Sequence, residues 1–569
     1  MGVFVMAALL PALALYLIWP MVLVLSHSFN TAGIIFIERK WGLDNWRAVP
    51  SEPFLLEALF NSFLVWGLTA IISFPIAICI AWALARLRMP WTYPLEYLFW
   101  VAYMIPGAAI AWILLMEPAG GFVNVFLREA GFLAPLIDPF LDDFGYGPFN
   151  IYSVPGIIWV HLMGNGIALK VMLLTPAFRN MDMALEEAAR VGGASNLRTM
   201  LRVTIPLMAS PIILVLALQL LRIFQSFETE FLLGRPIQFY VYSTLIYDQI
   251  RSEIPDYGAA TTLASMTLVI ILLIVPLQRW IIGRRRYTTI TGSFKPGLID
   301  LGAWKWLIFA GILGLHIMLT LVQLAAFVLG SFMTRTGFFN IDPVFTLDHW
   351  RFVYGDHLFL GALTTTLALA MTAAVLSPLL FSVLAYIMVR TNWPGRALLD
   401  WMIWGSGAIP GLLSGLGLLF LFLGTPGLSF LYGSIYALLL VVILQGNTTG
   451  VNISKGAIIQ VGHDMEEAAK VSGAGWIRTY WSIWLPLLMP TIILLGTLNF
   501  VSAASATSSI ILLASRETIT LSILALEFAS PELALREAAG IVTLHITMLT
   551  LGVAMIARRL GLGVGIRHR

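Results

Sequence analysis

Residues 181–208 read MDMALEEAARVGGASNLRTMLRVTIPLM, and residues 461–490 read VGHDMEEAAKVSGAGWIRTYWSIWLPLLMP. At an offset of 280 residues, the Glu-Glu-Ala-Ala of the first segment matches the same four residues of the second. A glycine, an arginine and a proline follow at matching positions in both segments. The chain therefore carries two copies of one local pattern, which indicates an internal repeat.

Each copy is predicted to form a short helix, a glycine break and a second helix. Glu, Ala and Arg favour the first helix. Gly192-Gly193 in one copy and Gly473-Ala474-Gly475 in the other permit a sharp reversal of the backbone. Pro206 and Pro486 lie where a new helix can start. The pattern therefore predicts two short helical loops, which we call the motif loops.

The repeat extends well beyond the motif loops. Leu43-Asp44-Asn45-Trp46-Arg47 matches Leu347-Asp348-His349-Trp350-Arg351 at an offset of 304, which also relates Arg86 to Arg390 and Pro106-Gly107 to Pro410-Gly411. The offset falls to 280 because the first half carries 24 additional residues in the loop near 118–154. We interpret residues 1–283 as the first repeat, 284–304 as a cytoplasmic linker and 305–569 as the second repeat.

The composition is that of a membrane protein. Of 569 residues, 59% are hydrophobic and 11% are charged, whereas ordinary soluble domains carry about 25% charged residues. A soluble fold cannot bury so much apolar surface, but a lipid bilayer can accommodate it. The net charge of +3 does not indicate nucleic-acid binding, because in a membrane protein the placement of Lys and Arg matters more than their sum.

Twelve segments are apolar and long enough to cross a bilayer, which takes about 20 residues. Six lie in each half, at 4–26, 56–85, 95–116, 155–177, 205–227, 258–282, 306–330, 360–389, 398–423, 431–449, 486–512 and 537–557. The first resembles a signal peptide in position, but it lacks a basic leading region and its apolar stretch is too long. Since each repeat has an even number of spans, the two repeats should face the same way.

Basic residues predict the orientation. Arginines or lysines follow the second, fourth and sixth predicted spans of each half, as at Arg86, Arg190, Arg284, Arg390 and Arg558. Cytoplasmic loops carry an excess of Lys and Arg. These loops and both termini are therefore expected on the cytoplasmic side of a bacterial inner membrane, with the chain crossing the bilayer many times.

The motif loops resemble the EAA loops of type I ABC importer permeases, whose pattern is Glu-Ala-Ala, three residues, Gly and a later hydrophobic-Leu-Pro. The resemblance covers essentially the whole chain. It implies an all-α membrane protein of about 12 transmembrane helices, built as two parallel six-helix repeats of the type I ABC importer (MetI-like) fold. In that family, each loop forms a coupling helix that docks in a groove of the cytoplasmic ATPase subunit.

By this resemblance the ATPase-coupling residues are Glu186, Glu187, Ala188, Ala189, Gly193, Glu466, Glu467, Ala468, Ala469 and Gly473. The paired glutamates leave open which carboxylate of each loop makes the contact, for instance with an arginine of the ATPase. The structural alternative is a solvated helix face with pairs such as Glu186 and Arg190.

The chain is not expected to be an enzyme. It contains no G-x-x-x-x-G-K-[ST] sequence, the loop that cradles nucleotide phosphates. ATP and Mg²⁺ should therefore bind a separate subunit, and no cofactor or catalytic residue is expected here. The resemblance implies two copies of a cytoplasmic ABC ATPase and a periplasmic or surface substrate-binding protein as partners, with no nucleic acid.

Polar residues inside apolar spans are candidates for the translocation path, because a charged side chain at membrane depth is costly and usually faces a cavity. In the fifth span four such residues follow at steps of three, which predicts one helix face. The candidates are Gln219, Arg222, Gln225 and Glu228, with Asn499, Ser502, Ser505 and Ser508 in the second half. Hydrogen bonding that only joins spans together is the alternative.

The sequence leaves the cargo open. Gly147-Pro148-Phe149-Asn150-Ile151-Tyr152-Ser153 resembles a segment of fused ferric-iron permeases. Ser226-Phe227-Glu228 followed by Leu232-Leu233-Gly234 is similar to the wider iron, thiamine and polyamine permease group. The resemblance favours ferric iron, with thiamine, polyamines, phosphonates and other small solutes as alternatives. The eight histidines show no metal-ligand spacing, so no resident metal site is predicted.

A secondary transporter of the major facilitator kind would also have two parallel six-span halves. It should carry a Gly/Asp/Arg-rich signature between its second and third spans, where this chain reads Arg-Leu-Arg-Met-Pro-Trp from Arg86 and Arg-Thr-Asn-Trp-Pro-Gly from Arg390. A channel or scaffold would not need paired coupling loops. The permease of an ABC importer is therefore the favoured function.

Overall fold

The computed structural model is helical over most of its length. It describes residues 2–32, 40–129, 138–141, 145–181, 184–220, 224–284, 298–462 and 464–559. Within these ranges, β pairing is confined to isolated bridges such as Asn30 with Trp41 and Met333 with Phe345. The predicted all-α class is confirmed.

Both repeats are built from α-helices, and the first contains additional short ones, such as Phe122–Glu129 and Glu228–Leu233. In the first repeat they are Gly2–Leu17, Trp19–His27, Asp44–Ala48, Leu55–Arg86, Thr92–Tyr103, Ala108–Met116, Phe122–Glu129, Val154–His161, Ile167–Arg179, Ala184–Val191, Asn196–Thr199, Ile205–Leu207, Ala209–Leu220, Glu228–Leu233, Tyr242–Arg251 and Tyr257–Arg284. In the second they are Trp304–His316, Val322–Phe332, Asp348–Gly355, His357–Arg390, Arg396–Ala408, Gly411–Gly424, Ile435–Ile459, Asp464–Val471, Trp476–Thr479, Leu485–Ala504, Leu521–Ala529 and Arg536–Arg559. Single π turns join some of them, at Leu162–Gly166, Met200–Thr204, Ile317–Leu321 and Tyr480–Trp484.

The described residues contain eight spans long and apolar enough to cross a membrane, or up to ten if two bent helix pairs are each taken as one. The eight are Leu10–His27, Leu55–Arg86, Val154–Arg179, Trp304–Phe332, His357–Arg390, Ile435–Ile459, Trp476–Ala504 and Arg536–Ala557. The predicted spans at 205–227 and 258–282 have different outcomes. At 205–227, residues 224–227 are not helical, whereas the helix Tyr257–Arg284 covers the whole predicted span at 258–282.

The two bent pairs lie where the sequence repeat matched Pro106-Gly107 with Pro410-Gly411. Thr92–Tyr103 and Ala108–Met116 meet at 93°, and the matching pair in the second repeat meets at 113°. Proline has no N–H to continue a helical ladder, and Gly107 has a φ of +74°, which disfavours residues with a β-carbon. The predicted straight spans at 95–116 and 398–423 are therefore each two helices around a sharp break.

The two repeats also share a hydrogen bond between matching helices. Ser62 Oγ accepts from the N–H of Tyr242 at 2.9 Å, and Thr366 Oγ1 accepts from the N–H of Leu521 at 2.8 Å. Ser62 and Thr366 are related by the offset of 304. The same long helix of each repeat is therefore joined in the same way to a helix that follows its motif loop.

Hydrogen bonds and a shared apolar core join the two repeats. Gln323 Nε2 donates to the carbonyl of Met163 at 2.8 Å, and Thr550 Oγ1 donates to the carbonyl of Met104 at 2.9 Å. The main apolar core contains buried side chains from both repeats. Of the predicted linker, residues 285–297 lie outside the described residues, and the boundaries of the two repeats remain a prediction.

Candidate functional site

The first motif loop is closed by a glycine in the left-handed conformation. Its helix, Ala184–Val191, ends just before Gly193, whose φ is +84°. The N–H of Ala194 then donates across the turn to the carbonyl of Ala189 at 3.0 Å. This is the Schellman closure of a helix, which favours glycine at the left-handed position.

The second motif loop has the same closure. The helix Asp464–Val471 ends before Gly473, whose φ is +76°, and the N–H of Ala474 donates to the carbonyl of Ala469 at 3.0 Å. The predicted helix and glycine break are therefore present in both copies. Only one glycine of the predicted Gly192-Gly193 pair needs its conformational freedom, because Gly192 has no positive φ.

The first glutamate of each motif is buried. Thr204 Oγ1 donates to Glu186 Oε1 at 2.7 Å, and Tyr386 OH donates to Glu466 Oε1 at 3.1 Å. Arg190 Nε lies 3.3 Å from the main-chain carbonyl of Glu186, so the predicted side-chain pairing of these two residues is replaced by a backbone contact. The buried carboxylates thus hold each motif helix against its own repeat.

The second glutamate of each motif points outward. Glu187 and Glu467 are exposed, and the helices end in Val191 and Val471, each 90% exposed. Of the predicted alanines, Ala188 is exposed, Ala189 is half-buried and Ala469 is buried, while the side chain of Ala468 lies outside the described residues. Each loop therefore presents a carboxylate and an apolar side chain on one exposed helix.

A cavity of about 480 Å³ lies between the two repeats. Its lining includes the bend at Pro106 and Gly107 and side chains of both repeats. The polar members are Ser62, Trp66, Thr69, Tyr103, His161, Asn165, Lys170, Gln219, Gln225, Ser226, Glu228, Thr229, Glu230, Ser505, Thr507, Ser508, Ser522 and Thr543. Substrate sites of transporters built from repeats lie at the repeat interface, which is where this cavity is.

Five of the predicted path residues line this cavity, namely Gln219, Gln225, Glu228, Ser505 and Ser508. The first three do not share one helix face, because residues 224–227 are not helical and a new helix begins at Glu228. Gln225 reaches the cavity from the turn between these helices, and Ser505 lies just beyond the helix that ends at Ala504.

The remaining path candidates lie elsewhere. Asn499 is buried and its Nδ2 donates to the carbonyl of Leu495 at 2.8 Å, a bond within one helix rather than between spans. Ser502 is exposed and is not part of the lining. Arg222 lies outside the described residues.

The cavity wall contains a buried hydrogen bond between a histidine and a glutamate that the sequence pattern did not predict. His161 Nε2 lies 2.7 Å from Glu230 Oε1, and Ser226 Oγ donates to the same oxygen at 2.6 Å. Glu230 is completely buried, so His161 and Ser226 take the place of water as hydrogen-bond partners of its carboxylate. The sequence signal for this contact is His161 itself, a histidine inside an apolar span.

The cavity wall also contains a broken helix. Between Val154–His161 and Ile167–Arg179, Gly164 has a ψ of −119°, outside the helical range. Lys170 is buried, and its Nζ donates to the freed carbonyl of Gly166 at 2.7 Å. Non-helical backbone at membrane depth is tolerated where it is buried or lines a cavity. The Gly164-Asn165-Gly166 run within an apolar segment was the sequence signal for this break.

The chemistry of the cavity is that of a polar passage. It offers carboxylates, hydroxyls, amides and one amine, and no three His, Cys, Asp or Glu side chains within the described part of the chain come together as a metal-binding group. Such a lining can exchange hydrogen bonds with a passing solute without enclosing it in a complete ligand shell.

The sequence matches a known protein family in both repeats. The model of the "binding-protein-dependent transport system inner membrane component" family matches residues 73–287 and 378–560, one segment in each repeat. The chain is 25% identical to the ferric transport system permease protein FbpB of Actinobacillus pleuropneumoniae over 70% of its length, but spans only 57% of that relative. It is 24% identical to a putative ferric transport system permease protein FbpB 1 of Haemophilus influenzae, covering 82% of this chain and 72% of the relative.

Among solved structures, the chain is similar to one from a bacterial alginate ABC transporter in complex with an alginate pentasaccharide-bound periplasmic protein. That match has 21% identity and a TM-score of 0.41, and covers 50% of this chain and 96% of the other.

Proposed function

The chain belongs to the family of binding-protein-dependent transport system inner membrane components, and from this premise we propose that it is the membrane-spanning permease of an ATP-driven importer. The observation that carries the proposal is the doubled motif loop, in which two helices with the same glycine closure expose the same side chains. A secondary transporter or a channel does not couple to two ATPase subunits and would not require two such loops.

The motif loops are the proposed docking sites for two copies of a cytoplasmic ABC ATPase. Glu187 and Glu467 are the carboxylates available to a partner, because Glu186 and Glu466 are already bonded inside the permease. Val191 and Val471 would contribute apolar contact area beside them. ATP and Mg²⁺ would bind the ATPase, and this chain would hydrolyse nothing itself.

The proposed orientation puts the motif loops and both termini in the cytoplasm of a bacterium, with the chain in the inner membrane. The excess of Lys and Arg on that side supports it. A periplasmic or surface substrate-binding protein would then deliver cargo to the opposite face. Closure of the ATPase dimer would bias the permease between outward-open and inward-open states, in a scheme of pre-existing conformations.

Ferric iron is the proposed cargo. Two curated relatives are named as ferric transport permeases, and Glu228, Gln225 and Ser505 offer hard oxygen atoms along the cavity. The cavity is proposed as a passage and the binding protein as the tight chelator. Thiamine, polyamines and phosphonates are the competing cargoes.

The test is to reconstitute the chain in nanodiscs with the ATPase and binding protein encoded beside it, and to measure ATP hydrolysis with the binding protein loaded with ferric iron or left empty. Stimulation by the iron-loaded protein alone is expected. Stable ATPase association without this stimulation would keep the importer and reject iron as cargo. Failure of the ATPase to associate would reject the importer.

A further inference from the structure

The two longest helices each end in an arginine that is bonded to the entrance of a motif loop. These helices, of 32 and 34 residues, end at Arg86 and Arg390. Arg86 Nη2 donates to the main-chain carbonyl of Met181, and Arg390 Nη2 donates to that of Val461. Met181 and Val461 occupy matching positions at the offset of 280, so the same connection is built twice.

Both arginines are held in place by their surroundings. Arg86 is 1% exposed. Arg390 Nη2 also donates to the carbonyl of Ile458 at 2.9 Å, and its guanidinium lies 4.9 Å from the ring centre of the buried Trp484, on the far side of the loop. Hydrogen bonds from a charged donor are stronger than neutral ones, and more so away from water. Each guanidinium therefore joins a helix end firmly to the backbone where the loop begins.

The helix that ends at Arg86 also forms a wall of the cavity. Ser62, Trp66 and Thr69 line the cavity, and Trp66 Nε1 donates to the carbonyl of Gln219 at 2.8 Å. From Thr69 to Arg86 the distance along the axis is about 25 Å at 1.5 Å per residue. A displacement of the motif loop can therefore reach the cavity wall through one continuous helix, provided that loop and helix end move together.

We propose that Arg86 and Arg390 are positioning residues that make each motif loop move as one unit with the long helix of its repeat. This inference rests on the proposed coupling to an ATPase, and it assigns the mechanical connection to two residues outside the Glu-Ala-Ala pattern. Without the guanidinium, the motif loop can move with the ATPase while the long helix keeps its position. ATP hydrolysis then continues without transport.

The experiment uses the full complex in proteoliposomes and measures ⁵⁵Fe uptake and ATP hydrolysis on the same sample. The variants are R86M, R390M and the double variant, with R86K and R390K as conservative changes. Arg88 and Arg396 are exposed arginines close in sequence to the two helix ends, so R88M and R396M are the matched controls. Uptake per ATP hydrolysed is a ratio, so a lower yield of folded complex does not change it.

We expect the double variant to hydrolyse ATP and to lose at least about tenfold in uptake per ATP, the factor that corresponds to one charged hydrogen bond. Lysine keeps the charge but not the planar fork, so R390K should lose about threefold and still assemble even if the methionine variants do not. Uptake per ATP in the arginine variants equal to that of R88M and R396M would overturn the inference and leave the importer intact. A wild-type complex without ATPase association would overturn both.

Discussion

Substituting Gly193 by alanine should uncouple the first motif loop through its backbone alone. Gly193 has a φ of +84°, and a β-carbon there would meet no atom within 4 Å. No steric clash is therefore added, and the cost is the torsional one, about 1–2 kcal/mol for an L-residue in the left-handed region. That cost shifts the balance between the closed turn and other loop conformations by a factor of about 5–30.

Two companion variants separate conformation from side-chain volume. Asparagine tolerates the left-handed region better than alanine, so Gly193→Asn should restore much of the coupling. Gly192→Ala adds the same methyl group one residue earlier, where φ is not positive and the nearest atoms, the carbonyl oxygens of Ala188 and Ala189, are 3.4 Å away. It should behave nearly as wild type.

The assay is iron uptake per ATP hydrolysed by the reconstituted complex, with amide hydrogen exchange at Ala194 as the structural readout. In Gly193→Ala the bond from the Ala194 N–H to the Ala189 carbonyl should open more often, and exchange there should speed up about 5–30-fold. The reasoning is refuted if Gly193→Ala retains normal exchange and coupling, or if Gly193→Asn is damaged as severely as Gly193→Ala.

Three further predictions concern the exposed carboxylates, the helix bend and the buried contact between histidine and glutamate. Glu187→Gln should weaken ATPase co-purification while leaving thermal stability unchanged, because the Glu187 side chain is exposed. Glu186→Gln should instead lower the melting temperature of the permease, because the Glu186 carboxylate is buried and accepts a hydrogen bond from Thr204. Gly107→Ala should destabilise strongly, since its β-carbon would lie 2.5 Å from Thr543 Cγ2, and Thr543→Ser in the same chain should recover part of the loss in thermal unfolding. Glu230→Gln replaces a buried carboxylate that is hydrogen-bonded to His161 Nε2 at 2.7 Å and to Ser226, and should cost about 1–3 kcal/mol in denaturant unfolding. An unchanged free energy of unfolding would mean that this contact is not a structural element.

The motif loops could be predicted from sequence because their determinants are local. A left-handed glycine after a Glu-Ala-Ala helix produces the same turn wherever it occurs, and both copies adopt it at Gly193 and Gly473. The bends at Pro106-Gly107 and Pro410-Gly411 were visible as matched pairs but were interpreted as parts of straight spans. Spans that are apolar on all sides carry no stripe to reveal a change of direction.

The translocation path was predicted only in part because it depends on where helices stop. Steps of three residues define one face only within a continuous helix, and residues 224–227 are not helical, so Gln219 and Glu228 belong to different helices. Gln225 and Glu228 reach the cavity because the chain turns there. The break at Gly164 likewise depends on tertiary support, which includes the bond from Gln323 of the other repeat to the Met163 carbonyl.

The two repeats are alike at the motif loops and unlike in the cavity. The proposed roles of these two regions, ATPase docking and cargo passage, explain the difference. The offset of 280 that matches the motif loops relates His161, Lys170, Glu228 and Glu230 to Val441, Gly450, Ser508 and Ile510. The ionisable part of the wall thus comes from the first repeat, and the second contributes hydroxyls such as Ser505 and Thr507. Two identical ATPase subunits would require two equivalent docking loops, and selection would preserve both copies. A single cargo passing along the interface needs no such equivalence, so a fused chain is free to concentrate charge on one side. A polar solute in this cavity would meet ionisable side chains on one wall and hydroxyls on the other, an arrangement that would suit transit better than tight binding.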